Sequence, residues 1–324
     1  MSENLEKIKA PVANELLLFE KHFKESMKSS APLLDKITYY IVQKKGKQIR
    51  PILVFLSAKM CGPIQESTYI AASLVELLHT ATLVHDDVVD DAYERRGFFS
   101  VNALWKNKIA VLVGDYLLSQ GMNIALESKN YQHLHTVSKA IKQMAEGELI
   151  QIEKARKLDI KEEVYYDIIT KKTASLIAAA CSAGASSTST DPNITENFWQ
   201  LGEKLGIAFQ IKDDLFDYGE DNVGKPTGID IKEKKMTLPL IYALQQTDKP
   251  TKKKIIHFIK NESTNQARVR EVIDFVKASG GLEYANEAMK KFQQEAIDIL
   301  HAFPPSETRD AFESLVYFVT QRNL

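Results

Sequence analysis

Apolar residues recur at helical spacing along almost the whole chain, and nowhere do they alternate as a half-buried strand requires. Leu74, Leu77, Leu78, Ala81 and Val84 follow the three-and-four rhythm of one helical face. Ile109, Val111, Leu112, Leu117 and Leu118 continue as a second, largely buried helix, Ile168, Ile169, Leu176 and Ile177 mark a third, and Leu201 to Phe216 a fourth. The stretch from Leu176 to Ala185 is short and rich in Ala and Ser, the pattern of a tightly packed buried helix. Gly and Pro are scarce, 14 and 10 in 324 residues. Turn chemistry falls between the periodic segments, at Cys61-Gly62-Pro63, Ser128-Lys129-Asn130, Asp191-Pro192-Asn193 and Pro304-Pro305. The fold class is therefore all-α. Beyond about Gln246 the helices become amphipathic and rich in Lys and Glu. This reads as a more exposed C-terminal region, 246–324, of one domain that spans residues 1–324.

The charge balance narrows the function. A formal net charge of −1 gives no reason to expect nucleic acid or an anionic membrane as partner. Cys61 and Cys181 show no metal-like spacing, which argues against disulfides and suits a reducing cytoplasm. The N-terminus, Ser2-Glu3-Asn4-Leu5-Glu6-Lys7, is too charged for a signal peptide. No apolar run is read as approaching the roughly 20 residues of a membrane helix, so no transmembrane segment is expected.

Two acidic clusters carry the chemistry: Asp86-Asp87-Val88-Val89-Asp90 and Asp213-Asp214-Leu215-Phe216-Asp217. Both have the form DDxxD, and both end a strongly apolar helical run. On a helix, the first and last Asp of such a motif lie only about 40° apart around the axis. Three carboxylates within little more than a turn repel one another unless a cation binds them. A single acidic helix end is common on solvated faces, whereas two copies continuous with buried helices are hard to explain as surface. Carboxylate-only ligands point to Mg²⁺, which completes its shell with water and phosphate oxygens.

Basic residues complete the constellation. Arg95 and Arg96 follow the first motif; Lys47 and Arg50 lie in Gly46-Lys47-Gln48-Ile49-Arg50-Pro51; Lys171-Lys172-Thr173 interrupts an apolar helix; Lys225 and Lys235 follow the second motif. Alone, each reads as a solvated charge. Together they suit two diphosphates, one bridged by metal to the Asp clusters and the other held by Arg and Lys directly. No Walker loop or kinase signature is present, which argues against nucleotides.

The stretch from Leu83 to Asp90 with Arg95-Arg96-Gly97, and the stretch Phe209-Gln210-Ile211-Lys212 leading into Asp213–Asp217, resemble the two aspartate-rich motifs of trans-polyprenyl diphosphate synthases. Gly224-Lys225-Pro226, Asp230 and Lys235-Met236-Thr237-Leu238-Pro239 resemble the segment after the second motif. In the right order from about Gly46 to about Leu300, the resemblance implies the isoprenoid synthase fold. That is a single domain of long helices around a deep central cavity, usually a homodimer, with the two motifs facing each other across its mouth. It implies prenyl transfer, the head-to-tail addition of isopentenyl diphosphate to an allylic diphosphate. Asp86, Asp87, Asp90 and Asp213 would ligate three Mg²⁺ ions, with Asp214 and Asp217 in support. Arg95, Lys172, Lys225 and Lys235 would contact the allylic diphosphate, and Lys47, Arg50, His79 and Arg96 the isopentenyl diphosphate. Thr173 and Gln210 would place oxygens near the developing allylic cation.

Other functions fit less well. A terpene cyclase shares the first DDxxD but typically carries an Asn/Ser/Glu metal motif in place of the second. A non-catalytic partner subunit would lack Asp or Arg residues that are all present here. Product length turns on residues about a turn before Asp86. Short-chain farnesyl synthases of the family typically carry bulky aromatics at the fourth or fifth position before the first Asp, where this chain has Thr82 and Ala81. His79-Thr80-Ala81-Thr82 resembles the octaprenyl and heptaprenyl synthases, so a product beyond C20 is expected, with a geranylgeranyl or farnesyl synthase as runner-up. Leu78, Leu74 or a residue of the 109–125 helix are further candidates for a nearer floor.

Overall fold

A computed structural model describes residues 2–43, 46–95, 97–158, 160–219 and 227–320. The elements are α1 (Ser2–Lys9), α2 (Ala13–Ser26), α3 (Pro32–Gln43), α4 (Ile49–Cys61), α5 (Glu66–Val89), α6 (Val101–Glu127), α7 (Tyr131–Lys157) and α8 (Glu162–Ile169). A π turn (Thr170–Ala174) joins α8 to α9 (Ser175–Ser186). Then follow α10 (Pro192–Phe216), α11 (Ile229–Lys232), α12 (Leu238–Gln245), α13 (Lys249–Asn261), α14 (Gln266–Ala278), α15 (Gly281–His301) and α16 (Glu307–Thr320). The expected turn segments fall between helices or overlap a helix end: Cys61 closes α4, and Pro192 and Asn193 open α10. One feature departs from the all-helical reading: β1 (Glu94–Arg95) and β2 (Phe98–Phe99) pair antiparallel, Glu94 opposite Phe99 and Arg95 opposite Phe98. Two residues per strand are too few to leave an alternating signature in sequence.

The chain divides into two compact units. The first comprises Met1–Ile141, Leu176–Trp199 and Phe303–Phe312; the second comprises Lys142–Ser175, Gln200–Ala302 and Glu313–Leu324. In the first, α4 is buried from Pro51 to Ala58, and α5 buries Ala71, Ala72, Leu74, Val75, Leu77, Leu78, Ala81 and Val84. The small residues of α9 are buried as their composition predicts, from Leu176 to Ala180 and at Cys181, Ala183 and Ala185. In the second unit α12 is buried on nearly every side, and α13, α14 and α15 turn inward the stripes Ile255–Phe258–Ile259, Val269–Val272–Ile273–Val276 and Ala285–Met289–Ala296–Ile297–Leu300. Each such Leu, Ile or Phe contributes roughly 1.5–3 kcal/mol relative to exposure.

The helix containing Val111 and Leu112 is present, but it is not largely buried. Lys106 (φ 74°) breaks α6 near its start, and the straight part beyond exposes Val111, Leu112, Met122 and Leu126 along one side. By length and composition alone, Glu66–Val89 and Asn107–Glu127 are both long and apolar enough to cross a bilayer. An isolated charge such as Asp115 breaks the apolar run locally but leaves the helix apolar on average. The apolar stretch of Glu66–Val89 is 61% buried within the protein and that of Asn107–Glu127 33%.

Candidate active site

Both aspartate motifs sit at the C-terminal ends of long helices. Helix α5 ends at Val89 and α10 at Phe216, so each motif crowds its carboxylates where the last carbonyls already concentrate negative partial charge. Acids at this end of a helix cost typically about 0.3–1 kcal/mol each. A bound cation reverses that cost.

In the first motif, the three aspartates divide by direction. Asp90 is exposed and Asp86 half-buried, whereas the Asp87 side chain is buried. Its Oδ1 accepts from Arg95 Nε at 2.6 Å, and its backbone oxygen accepts from Ala92 N at 2.9 Å and Asn102 Nδ2 at 3.1 Å. Burial, outweighing the Arg95 guanidinium, raises Asp87 above the usual carboxylate range. Helix α5 also carries His79, buried and two turns before Asp86 on nearly the same face. Lys47 is exposed, and Arg50 lies half-buried in the first turn of α4. Arg96 lies outside the described residues.

The chain-length candidates are on α5. Ala81 is fully buried and Thr82 half-buried, its Oγ1 donating to His79 O at 2.8 Å. Leu78 points at α6: a methyl added to Gly121 would lie 2.3 Å from Leu78 Cδ1.

The second motif repeats the division. Asp213 is exposed, while Asp214 is buried and accepts from Tyr165 Oη at 2.7 Å and Gln210 Nε2 at 2.9 Å. Burial and the nearby Asp230 carboxylate push Asp214 up to about 7. Asp217 takes the backbone N–H groups of Ile229 and Asp230 at 2.7 and 3.1 Å; burial and Asp230 raise it to about 6. Lys235 bonds Asp230 at 3.2 Å and Glu233 at 2.7 Å. Burial opposes its charge, but these carboxylates outweigh it and lift the ammonium above its ordinary value. Lys225 lies outside the described residues.

Lys172 and Thr173 belong to the π turn, a conformation frequent at functional sites. Neighbouring helices close on it through two glycines. A Cβ on Gly147 of α7 would stand 2.8 Å from Lys172 N, and one on Gly206 of α10 would stand 2.5 Å from Ala174 Cα. Lys172 Nζ pairs with Glu148, and Thr173 Oγ1 donates to Gln210 Oε1 at 2.7 Å. Glu148, Tyr165 and the two glycines were not singled out from sequence, because nothing local marks residues that act through packing.

The donor set fits a hard divalent cation. Among the described residues no side chain hydrogen-bonds the carboxylates of Asp90 or Asp213, and no three His, Cys, Asp or Glu side chains form a metal cage by themselves. A cation held at either motif would take its other ligands from water and phosphate oxygens, as Mg²⁺ commonly does.

Residues 31–276 match the polyprenyl synthetase family. The chain belongs to that family. The synthase is 35% identical over 318 residues to an all-trans-nonaprenyl-diphosphate synthase (geranyl-diphosphate specific) of Rhodobacter capsulatus, covering 97% of each chain. It is 33% identical over 322 residues to the octaprenyl diphosphate synthase of Escherichia coli, covering 99% of each. Its fold matches the crystal structure of a polyprenyl synthase from Caulobacter crescentus complexed with calcium and isoprenyl diphosphate, with a TM-score of 0.90, 30% identity and 98% coverage of both chains. The synthase has the isoprenoid synthase fold and is a prenyltransferase. It condenses isopentenyl diphosphate with an allylic diphosphate into an all-trans polyprenyl diphosphate longer than C20, and the family's chemistry uses a divalent metal.

Proposed function

We propose that Asp86, Asp90 and Asp213 hold Mg²⁺, three ions when substrate is present, on the allylic diphosphate. When bound, the metal neutralises charge that grows on the diphosphate as the allylic C–O bond breaks. Asp87 and Asp214 support from behind, one orienting Arg95 and the other Gln210, while Asp217 braces the start of α11. Arg95, Lys172 and Lys235, joined by Lys225, contact the same diphosphate. Lys172 and Lys235 exchange Glu148, Asp230 and Glu233 for phosphate oxygens when substrate arrives. Lys47, Arg50 and His79, with Arg96, bind the diphosphate of isopentenyl diphosphate without metal. Thr173 and Gln210 turn oxygen towards the allylic carbon. The isopentenyl double bond attacks that carbon, and the proton lost from the adduct goes to the departing diphosphate.

The observation that carries this assignment is the division within each motif. The middle carboxylate is buried on protein donors and the first is more exposed, at two helix ends whose dipoles call for a cation. Purified synthase incubated with isopentenyl diphosphate and allylic primers across a Mg²⁺ titration, with products extracted and sized, tests it. Undiminished elongation in excess EDTA overturns it.

The exposed apolar stripe of α6 supports a homodimer, checked by sedimentation. Free Cys61 and Cys181, each pushed up to about 12 by burial, suit work in the cytoplasm. Small side chains at Ala81 and Thr82 leave room for a long product.

A further inference from the structure

Four side chains on three elements form one directed hydrogen-bond chain within the second unit. Thr173 Oγ1 donates to Gln210 Oε1 at 2.7 Å, Gln210 Nε2 donates to Asp214 Oδ1 at 2.9 Å, and Tyr165 Oη donates to Asp214 Oδ2 at 2.7 Å. Thr173 lies in the π turn, Gln210 and Asp214 one turn apart on α10, and Tyr165 on α8. Tyr165 and Asp214 are buried, whereas Thr173 and Gln210 are half-exposed, so the chain runs from the protein interior to an accessible end.

The direction of the bonds decides what the accessible end offers. In its ionised form Asp214 only accepts, and so it fixes the Gln210 amide with its nitrogen inward and its oxygen towards Thr173. That oxygen takes the Thr173 hydroxyl proton. The threonine is left with lone pairs alone to present, the polarity a developing carbocation needs. A Gln210 amide turned over would hand Thr173 an N–H, and the hydroxyl would then point its own proton outward. A buried carboxylate with one partner missing is also free to rotate or to recruit another donor, since an unsatisfied buried acceptor is costly.

We infer that Tyr165 is a positioning residue for the ionisation step: by pinning Asp214 Oδ2 it sets the sense of the Asp214–Gln210–Thr173 chain, so that Thr173 faces the allylic carbon with oxygen lone pairs. Tyr165 touches no substrate in this account. It acts through three hydrogen bonds, by way of Asp214 and Gln210. The inference rests on the placement of Thr173 at the reacting carbon proposed above.

Tyr165→Phe removes one oxygen and keeps the ring. The expected result is a fall in kcat of about tenfold or more, with KM for both diphosphates and the Mg²⁺ activation midpoint within about twofold of the parent. Calorimetric affinity for an allylic thiolodiphosphate, which binds but ionises poorly, should be unchanged. Asp214→Asn, which cannot accept from both neighbours, should lower kcat at least as far, and adding Tyr165→Phe to it should cost less than about twofold more. If Tyr165→Phe does not fold, Asp214→Asn and Thr173→Val carry the test through the same split between kcat and KM. A lowered melting temperature with kcat intact in Tyr165→Phe overturns the inference, because the hydroxyl is then only structural. So does a loss that appears wholly in KM or in the Mg²⁺ midpoint. An unchanged kcat in Thr173→Val removes the placement of Thr173 and the inference with it. A lowered kcat there beside an unchanged one in Tyr165→Phe overturns the role of Tyr165 alone.

Discussion

Arg95 Nε lies 2.6 Å from Asp87 Oδ1, so the middle aspartate of the first motif is held by the arginine that follows it rather than turned outward with Asp90. The same residue accepts two further hydrogen bonds at its backbone oxygen, from Ala92 and Asn102, and so ties the β1–β2 ribbon to the end of α5. Asp87→Asn keeps the shape and removes the charge that orients the guanidinium. A hydrogen bond to a charged group is worth about 1.5–3 kcal/mol. KM for the allylic primer should rise about tenfold or more, with KM for isopentenyl diphosphate little changed. Steady-state kinetics with each substrate varied in turn checks this, and equal shifts on both count against it.

The outward carboxylates should behave differently. Asp86→Ala or Asp213→Ala should lower kcat by about three orders of magnitude or more, since each removes charge compensation needed as the C–O bond breaks. In Asp213→Ala, thermal stability should hold or rise slightly, because a repulsive acid leaves a helix C-terminus. Product assays and melting curves on the two variants read both effects. A destabilised variant with near-normal turnover would falsify the assignment.

Arg50 and Lys47 are proposed to serve the other diphosphate. Arg50→Ala should raise KM for isopentenyl diphosphate about tenfold or more and leave the primer's KM within about twofold. The comparison is internal to one protein preparation, so loss of fold cannot imitate it.

Ala81 tests product length. It is fully buried, five residues before Asp86, and Leu78 on the same helix packs against Gly121 of α6. Ala81→Phe should stay folded and release mainly C15 or C20 products. Overpacking a closed core instead costs around 1–3 kcal/mol. An unaltered product spectrum with a lowered melting temperature would mark Ala81 as ordinary core.

His133 should limit acid stability. It is buried, with Nε2 2.7 Å from Ser67 Oγ and Nδ1 3.3 Å from Ser186 Oγ, and burial lowers its pKa to about 4. The folded value lies below the unfolded one, so the unfolded chain takes up the proton first as pH falls. Stability from the neutral ring is therefore complete above about pH 6.5 and lost progressively towards pH 4, by about 3 kcal/mol in all. His133→Gln should flatten that part of the profile, measured as urea unfolding free energy against pH. An acid limb of unchanged slope would show that other groups set it.

The helices and both aspartate motifs were legible because their signals are local. A helix writes its apolar period within a dozen residues, and a metal-binding carboxylate set must sit within about a turn of one helix. The basic residues likewise stand out by charge. Helix ends, the small buried residues of α9 and the amphipathic helices after Gln246 followed from the same periodicity. What sequence alone left open was direction and partnership. Asp86 and Asp87 are adjacent and chemically identical, yet only Asp87 meets Arg95. Likewise only Asp214, not Asp213, meets Tyr165, a residue 49 positions away. Tertiary packing decided this, because a carboxylate's role depends on which donors the surrounding helices bring within about 3 Å of it. Packing also decided that Val111 and Leu112 face outward and that Gly147 and Gly206 admit the π turn, since burial and close approach belong to pairs of elements.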